Sequence, residues 1–345
     1  MEKETISIYT IAREAGVSPA TVSRVLTGNA RVSEEKRQRV QELIRKYDFR
    51  PNALARGLGR AETRVIGVLV SDIRNPFYAT LAVECEKEAN RRGYTLMLCN
   101  SLGSNALERS YLEKFYEQRV DAIIQVGGKV DELVSDPEYV EAINRVANTT
   151  PVLITGRLDG ADCYQVNIDE GQSMERMMEY LIENGHRQIA LLGGREDVKS
   201  TLDKRQRYRQ MLRKYKIQVR EDYIVDGGSY DIEGGCRAME QFLESGCPLP
   251  TAIIAINDFT AVGVIRSLRQ KGIRIPEDVS VASFDNTYIT EVCMPRLTCV
   301  GYDYKTFGKV LIDTAIAAIR GEEAPMRIQM VRSILTVRDS CSRIG

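Results

Sequence analysis

A repeated alternation of buried strands and helices sets the architecture of residues 64–345. Apolar runs typical of buried parallel strands begin at 64. Two nearly identical runs, Asp-Ala-Ile-Ile at 121–124 and Thr-Ala-Ile-Ile at 251–254, hold the same place in two successive halves. Helical stretches separate the strands in both halves, which predicts two doubly wound parallel sheets. Two such sheets leave a cleft at the carboxyl ends of their strands, where open α/β folds bind ligands.

Residues 9–28 predict a different structure, two short helices joined by a tight turn. Thr10 can cap the first helix, and Gly16 supplies a turn in which a left-handed backbone costs little. Ser18 caps the second helix and Pro19 takes its first position. The front of that helix then presents small polar groups and Arg24 outward, which suits base reading in the major groove by a helix-turn-helix. The alternative is a helical pair with an ordinary exposed face.

The segment that follows favours the nucleic-acid interpretation. Ser33 caps a third predicted helix, whose apolar stripe can close a three-helix core. Residues 49–60 then form a stretch too short and too rich in glycine to be a stable helix alone. Leu58 within it has no obvious core to join. The stretch is either a plain linker or a hinge helix that inserts Leu58 between base steps of the minor groove.

The charge of this 345-residue chain is zero overall but unevenly distributed. Residues 1–60 carry 12 basic and 7 acidic side chains, whereas the remaining residues carry 36 and 41. A basic head on an acidic body favours a polyanionic partner at one end only. Because the sequence shows neither an apolar run near ~18 residues nor a secretory signal, a cytoplasmic protein without membrane contact is expected.

The cysteines and the single histidine indicate no metal site and no cofactor. The 8 cysteines are scattered, without a CxxC pair or a Cys/His cluster, so reduced and mostly buried thiols are expected. His186 precedes a predicted strand and is expected to cap or pack there. No P-loop or nucleophile elbow is present, and a single histidine limits acid–base chemistry, so an enzyme is not expected.

Several motifs follow one another along the chain in one order. They include Ile-Ala-Arg-Glu-Ala-Gly-Val-Ser-Pro-Ala-Thr-Val-Ser-Arg-Val-Leu at 11–26, Phe-Arg-Pro-Asn-Ala-Leu-Ala-Arg at 49–56, Asn-Pro-Phe at 75–77, Ser-Phe-Asp-Asn at 283–286 and Val-Arg-Asp-Ser at 337–340. In residues and order, these motifs closely resemble those of the lactose-repressor (LacI/GalR) family of bacterial transcription regulators. The helix-turn-helix and hinge motifs are the most specific part of the resemblance.

The resemblance implies a small all-α helix-turn-helix head at 1–48, a hinge helix and linker at 49–62, and an α/β core like that of periplasmic sugar-binding proteins. The core would consist of an N-subdomain, 63–162 with 290–325, and a C-subdomain, 163–289 with 326–345. The family acts as dimers on near-palindromic operators. An effector in the cleft between the subdomains favours or disfavours pairing of the hinge helices, which is a reciprocal coupling between two sites.

The same resemblance assigns residues to two sites. The expected DNA-binding residues are Thr10, Ser18, Pro19, Ala20, Thr21, Ser23, Arg24, Asn29, Asn52, Ala55 and Leu58. The expected effector-binding residues are Phe77, Tyr78, Lys204, Tyr230, Asn257 and Asp285. The amide and the carboxylate of the last two can each take paired hydroxyls, which suits a sugar or a sugar derivative.

Two stretches depart from the family pattern. Lys204 and Arg207 stand where the family usually has Arg and Gly, and Lys lacks the planar fork of Arg. Gly156, followed by Arg157, stands where the family often has Asp. Loss of a carboxylate and gain of cations favour a less usual, anionic effector. Solvent-exposed roles for Lys204 and Arg207 are the alternative.

The function predicted from the sequence is a ligand-responsive, sequence-specific transcription regulator, a repressor of carbohydrate-utilisation genes that binds DNA as a homodimer. A global catabolite-control regulator driven by a phosphoprotein partner is the alternative within the family. The local regulator is favoured because nothing in the sequence indicates a phosphoprotein docking site. A transport solute-binding protein is disfavoured by the basic head.

Overall fold

The computed structural model describes residues 6–26, 32–47, 49, 62–322 and 326–344. The chain forms two compact units, 1–63 and 64–345, called the head and the core below. Among the described residues, no helix combines the length and the apolar character needed to cross a membrane.

The head contains three helices, α1 (Ile8–Ala15), α2 (Pro19–Leu26) and α3 (Glu34–Lys46). Its core consists of Ile11, Ala12, Ala15, Val22 and Val40, with Val25, Leu26, Leu43 and Ile44 packed against it. Gly16 ends α1 in the left-handed conformation at φ 64°, as the sequence predicts. The predicted cap of α2 is also confirmed, since the Thr21 amide donates to Ser18 Oγ at 3.2 Å.

The cap of α1 differs from the prediction, and Ser33 takes the N-cap position of α3 without a side-chain hydrogen bond to that helix. Ser7, not Thr10, is the N-cap, and its hydroxyl accepts from the Thr10 amide at 3.3 Å. Thr10 lies three positions into the helix and completes a reciprocal capping box, in which the Ser7 amide donates to its hydroxyl. The helix therefore begins at Ile8, three residues before the start that a cap at Thr10 implies.

The core alternates strands with helices as predicted. Its elements are β1 (Val65–Val70), α4 (Pro76–Arg91), β2 (Thr95–Asn100), α5 (Asn105–Glu117), β3 (Ala122–Val126), a 3-10 turn (Gly128–Asp131), α6 (Pro137–Ala147), β4 (Val152–Thr155), β5 (Tyr164–Ile168), α7 (Glu170–Glu183), β6 (Ile189–Leu192), α8 (Lys199–Lys214), a second 3-10 turn (Glu221–Tyr223), β7 (Ile224–Val225), α9 (Ile232–Glu244), β8 (Ala252–Ala255), α10 (Asp258–Gln270), β9 (Ser280–Asp285), α11 (Ile289–Val292), β10 (Thr298–Tyr302), α12 (Tyr304–Ile319), β11 (Ile328–Val331) and β12 (Ser333–Thr336).

In the described part of the core these strands form two six-stranded sheets. The first has the order β11-β5-β4-β3-β1-β2 and is parallel throughout. The second has the order β12-β10-β9-β8-β6-β7 and is parallel except for β12, which is antiparallel to β10. The two near-identical apolar runs form β3 and β8, which occupy the same position in their sheets. The predicted duplication is therefore confirmed.

The chain crosses between the two lobes at positions that differ from those expected. We define lobe 1 by the first sheet and lobe 2 by the second. The crossings fall at the single residues Asp169, Asp303 and Arg332, each lying between an element of one lobe and an element of the other. The boundaries expected at 163, 290 and 326 are therefore too early. The strand Tyr164–Ile168 has polar residues at alternate positions, so no continuous apolar run marked it as part of the first sheet.

His186 has the packing role that the sequence predicts. Its ring is 1% exposed, with Nδ1 3.0 Å from the Thr251 hydroxyl and Nε2 3.0 Å from the Ser342 carbonyl. Burial lowers the pKa of this ring, so the neutral form is favoured. The histidine thus links the start of β6 to the last residues of the chain.

Candidate functional site

The front of α2 forms an exposed face on the head. Pro19, Ala20, Ser23 and Arg24 are exposed, whereas Thr21 is half-buried. The Ser18 hydroxyl lies 3.0 Å from that of Thr21 and accepts from its amide, so the exposed Ser18 also holds the helix start. The predicted outward residues therefore lie along one exposed face of α2, which is how a groove-reading helix presents its side chains. Asn29, Asn52, Ala55 and Leu58 lie outside the described residues.

A cavity of about 290 Å³ lies between the two lobes of the core. Its wall includes the last residues of β3, β4 and β5 from lobe 1 and of β9 from lobe 2. The cavity therefore occupies the carboxyl edges of both sheets, as the fold prediction required. All six expected effector-binding residues line it: Phe77, Tyr78, Lys204, Tyr230, Asn257 and Asp285. The structure thus brings together side chains from both lobes and from five separate elements or loops.

Aromatic side chains form one part of the wall. Phe77 meets Tyr78 edge-on, with ring centroids 5.2 Å apart, and meets Tyr302 at 6.3 Å. Asn75 places both α4 residues, because its side chain accepts from the Phe77 amide at 3.0 Å and caps the helix. Tyr230 faces them from lobe 2, with its hydroxyl 2.7 Å from that of Thr201. Such a wall offers apolar ring faces and hydroxyl edges to a ligand.

Asn257 holds the site together from within lobe 2. Its Oδ1 accepts from the Thr260 amide at 2.8 Å and caps α10. Its Nδ2 donates to the Tyr230 carbonyl at 3.1 Å. The side chain is 5% exposed, so both of its polar atoms are already engaged inside the protein. Asn257 therefore positions Tyr230, a role that its sequence position did not reveal.

Asp285 ends β9 in a left-handed conformation at φ 95°, and Asn286 follows at φ 58°. Such backbone angles are rare for residues other than glycine and are typical of functional loops. No described residue donates a hydrogen bond to the Asp285 carboxyl. Burial and the nearby Asp258 carboxylate raise its pKa well above the usual range. This carboxyl is therefore available to a ligand that donates hydrogen bonds.

Asp258 supports the turn after β9 through three hydrogen bonds. It is 1% exposed and accepts from the Ser283 hydroxyl at 2.5 Å, from the Thr287 amide at 2.7 Å and from the Thr287 hydroxyl at 2.9 Å. Burial nevertheless raises its pKa to about 6. These bonds hold both ends of the left-handed segment, so they determine where Asp285 points.

The two departures from the family pattern have structural explanations. Lys204 is 5% exposed and pairs with the carboxylate of Glu170, so a solvent-exposed role for Lys204 is wrong. Arg207 has a side chain that is 40% exposed and lies 3.8 Å from Glu175. A Cβ on Gly156 would lie 2.1 Å from the Val130 carbonyl oxygen, at φ 142°. The backbone of the 3-10 turn therefore occupies the space that a side chain at 156 would need.

The sequence did not reveal a connection between the lobes at the cavity rim. Asp131 accepts from the Ser200 hydroxyl at 2.6 Å and from the Ser200 amide at 3.1 Å. Beside it, Glu132 and Val198 form an antiparallel β-bridge. Burial raises the pKa of Asp131 to about 6. We call these contacts the rim latch. Asp131 and Ser200 are 69 positions apart in sequence and lie in different lobes, which leaves no local signal.

Buried Glu108 positions the lobe 1 side of the rim latch. It is 1% exposed and accepts from the Lys129 amide and from Gln125 Nε2, both at 3.0 Å. These bonds fix the turn that carries Asp131.

The described residues bring together no group of three His, Cys, Asp or Glu side chains suited to a metal ion.

Comparison with known proteins agrees with this architecture. Residues 7–52 match the family model of bacterial regulatory proteins, lacI family, and residues 178–341 match that of the periplasmic binding protein-like domain. The chain is 36% identical over 298 residues to catabolite control protein A of Staphylococcus epidermidis, covering 86% of this chain and 87% of that protein.

Two solved structures extend the comparison. The lac repressor dimer bound to operator and the anti-inducer ONPF superposes with a TM-score of 0.85 at 23% identity, covering 98% of this chain and 99% of that one. A complex of the transcriptional regulator CelR with cellobiose superposes with a TM-score of 0.71 at 25% identity, covering 97% and 99%. The first shows the fold alone. Together with the match to catabolite control protein A, these findings place the chain in the lacI family of bacterial regulatory proteins, as a transcription regulator.

Proposed function

We propose that this chain is an effector-responsive repressor of carbohydrate-utilisation genes that binds a near-palindromic operator as a homodimer. The observation that carries the proposal is the cavity between the lobes, which is walled by both of them. A ligand held there contacts both lobes at once, so its affinity depends on how they are arranged. A ligand with such a differential affinity shifts the equilibrium between arrangements.

The chemistry of the wall favours a polyhydroxylated effector. The carboxyl of Asp285 accepts hydrogen bonds, and the hydroxyls of Tyr78 and Tyr230 both donate and accept. The ring faces of Phe77 and Tyr302 supply apolar contact area. Mixed walls of this kind bind sugars well, because a sugar has hydroxyl edges and apolar ring faces. The CelR structure contains cellobiose, which supports the same ligand class here.

The rim latch offers a route from the cavity to the lobes. Asp131 and Ser200 both line the cavity and bind one another across it. An effector that competes for either side chain weakens the latch, whereas one that fits beneath it strengthens the latch. Either effect changes the balance between closed and open lobes, and hence the pairing of residues 49–62 in the dimer. By linkage, operator binding changes effector affinity by the same factor.

On the head, we assign base reading to the front of α2 and minor-groove insertion to Leu58. A two-fold dimer places two such helices on successive half-sites. The test begins with selection of an operator from a random duplex library, followed by fluorescence anisotropy at several salt concentrations. Tight, salt-sensitive binding to the selected sequence is expected. Equal, weak binding to every duplex would refute the proposal.

Substitution of Arg24 tests base reading. Arg24→Ala should cost about 1–3 kcal/mol and relax the preference at one operator position. Arg39→Ala is the matched control, since it removes one exposed cation from α3 rather than α2. The control should weaken binding to all duplexes evenly. An unchanged preference in Arg24→Ala removes that residue from the reading face.

Substitution of Asp285 tests the effector site. A thermal-shift screen of the full chain against neutral sugars, sugar acids and sugar phosphates identifies a ligand. Asp285→Ala should then abolish the effector's influence on operator binding while operator affinity itself persists. Asp278→Ala is the control, because it removes an exposed carboxylate that does not line the cavity. It should leave the response to the effector intact. A retained response in Asp285→Ala places the effector elsewhere.

A second function is a catabolite-control regulator driven by a phosphoprotein. The relative named catabolite control protein A favours it, at 36% identity over 86% of this chain. The two functions differ in what changes operator affinity. Small molecules alone suffice for the first, whereas the second needs the phosphorylated form of a protein partner and should survive Asp285→Ala.

A further inference from the structure

Two cations converge on the start of α7, where Glu170 and Lys204 line the cavity. Lys204 Nζ contacts the carboxylate of Glu170, the first residue of α7, and lies 5.2 Å from the centroid of the Phe284 ring. Arg207 lies beside the next residue, since a Cβ on Gly171 would be 3.3 Å from its Nε and Nη2. Both side chains belong to one of the two stretches that depart from the family pattern, so these two departures share one location.

The surroundings of Glu170 have the chemistry of an anion site. A helix N-terminus with a lysine beside it attracts phosphate or carboxylate, because free amides and the helix dipole favour negative charge there. α7 is 14 residues long, and Asp169 caps it by accepting from the Gln172 amide at 2.8 Å. The Glu170 carboxylate lies at this helix end and holds Lys204. The chain therefore supplies its own anion at the position where an anionic ligand would bind.

The other cations of the wall are also engaged. Among the described residues that line the cavity, Lys199 Nζ lies 3.4 Å from Asp203 and Arg157 Nε lies 2.6 Å from Asp159. Opposite them, the carboxyl of Asp285 accepts no hydrogen bond from a described residue. The cavity thus offers an unused acceptor but pairs each of its cations with a carboxylate.

We propose that Glu170 excludes anionic effectors from the cavity, by occupying the anion site that Lys204 and the start of α7 would otherwise form. This inference rests on the proposed function of the cavity as the effector site. It names the effector class as a polyhydroxy compound without a phosphate or carboxylate group, with a hydrogen-bond donor directed at Asp285. It also reverses the anionic effector suggested by the sequence, because the added cations are neutralised within the protein.

Inorganic phosphate provides a test that does not require the effector to be known. Thermal shift and calorimetry of the full chain compare phosphate with chloride at equal ionic strength. The wild type should show no phosphate-specific binding. Glu170→Gln should bind phosphate specifically, at least about tenfold more tightly than the wild type, because Lys204 is released to it. Glu170→Gln/Lys204→Met should lose that gain.

Glu175→Gln is the matched control for loss of a carboxylate from α7. Glu175 pairs with Arg207 at 3.8 Å and with Lys214 at 3.4 Å, and it does not line the cavity. It should leave phosphate binding unchanged. Wild-type phosphate binding that Lys204→Met abolishes would overturn the inference, as would a Glu170→Gln protein without gain. Neither result depends on the Asp285→Ala operator assay, which tests the effector site itself.

Discussion

The buried pair of Lys204 and Glu170 allows a stability prediction of defined size. The side chains are 6% and 15% exposed, so water screens the pair little. Removing one partner of a buried pair typically costs 3–5 kcal/mol, because the remaining charge stays buried. The lower end of this range applies here, because Glu170 borders the cavity and lies at a helix N-terminus, where water and the helix dipole partly stabilise the unpaired carboxylate. We therefore expect Lys204→Met to lower the free energy of unfolding by about 3 kcal/mol, or Tm by about 6 °C.

Urea unfolding with matched variants measures this effect. Lys199→Met is the control on the same helix, since the Lys199–Asp203 pair is longer, at 3.4 Å, and its side chains are 28% and 39% exposed. It should cost less than about 1 kcal/mol. Lys204→Met/Glu170→Gln should recover most of the single loss, because no unpaired charge remains. Equal losses of stability in Lys204→Met and Lys199→Met would refute the reasoning. A double variant as unstable as Lys204→Met would also refute it.

Two further substitutions test the core. Burial raises the pKa of Asp131 from 3.8 to about 6, so the folded chain binds a proton that the unfolded chain releases, and stability falls as pH rises through that window. Asp131→Asn should remove this fall, worth about 2 kcal/mol between pH 4 and 7 by urea unfolding; an unchanged pH slope contradicts the assignment. In Gly263→Ala a Cβ would lie 2.0 Å from the Ile232 carbonyl oxygen, so a loss of about 3 kcal/mol is expected. Gly171→Ala is the control and should cost little stability, because only flexible side-chain atoms lie near its Cβ, at 3.3 Å or more. Equal losses of stability in Gly171→Ala and Gly263→Ala would show that the close helix contact at Gly263 is not the cause of the loss.

Local sequence signals predicted the elements well because their causes are local. The turn at Gly16, the cap at Ser18 and the two apolar runs that become β3 and β8 depend on backbone preference and hydrophobic periodicity within a few residues. The errors also have local causes. The cap of α1 lies three residues before the predicted Thr10, and the strand Tyr164–Ile168 lacks a continuous apolar run.

The sequence by itself determined the helix-turn-helix and the duplicated α/β core, because short motifs and hydrophobic periodicity specify them. Its resemblance to the LacI/GalR family implied which six side chains meet in the cleft. Only the tertiary structure decided how those side chains are used. Lys204 is committed to Glu170, Asn257 to Tyr230, and Asp131 reaches Ser200 across the cleft. Such pairings depend on distances between residues far apart in sequence, and hydrogen bonds and buried charges are sensitive to those distances. That is why the cations read from the sequence favoured an anionic effector, whereas the folded cavity favours its exclusion.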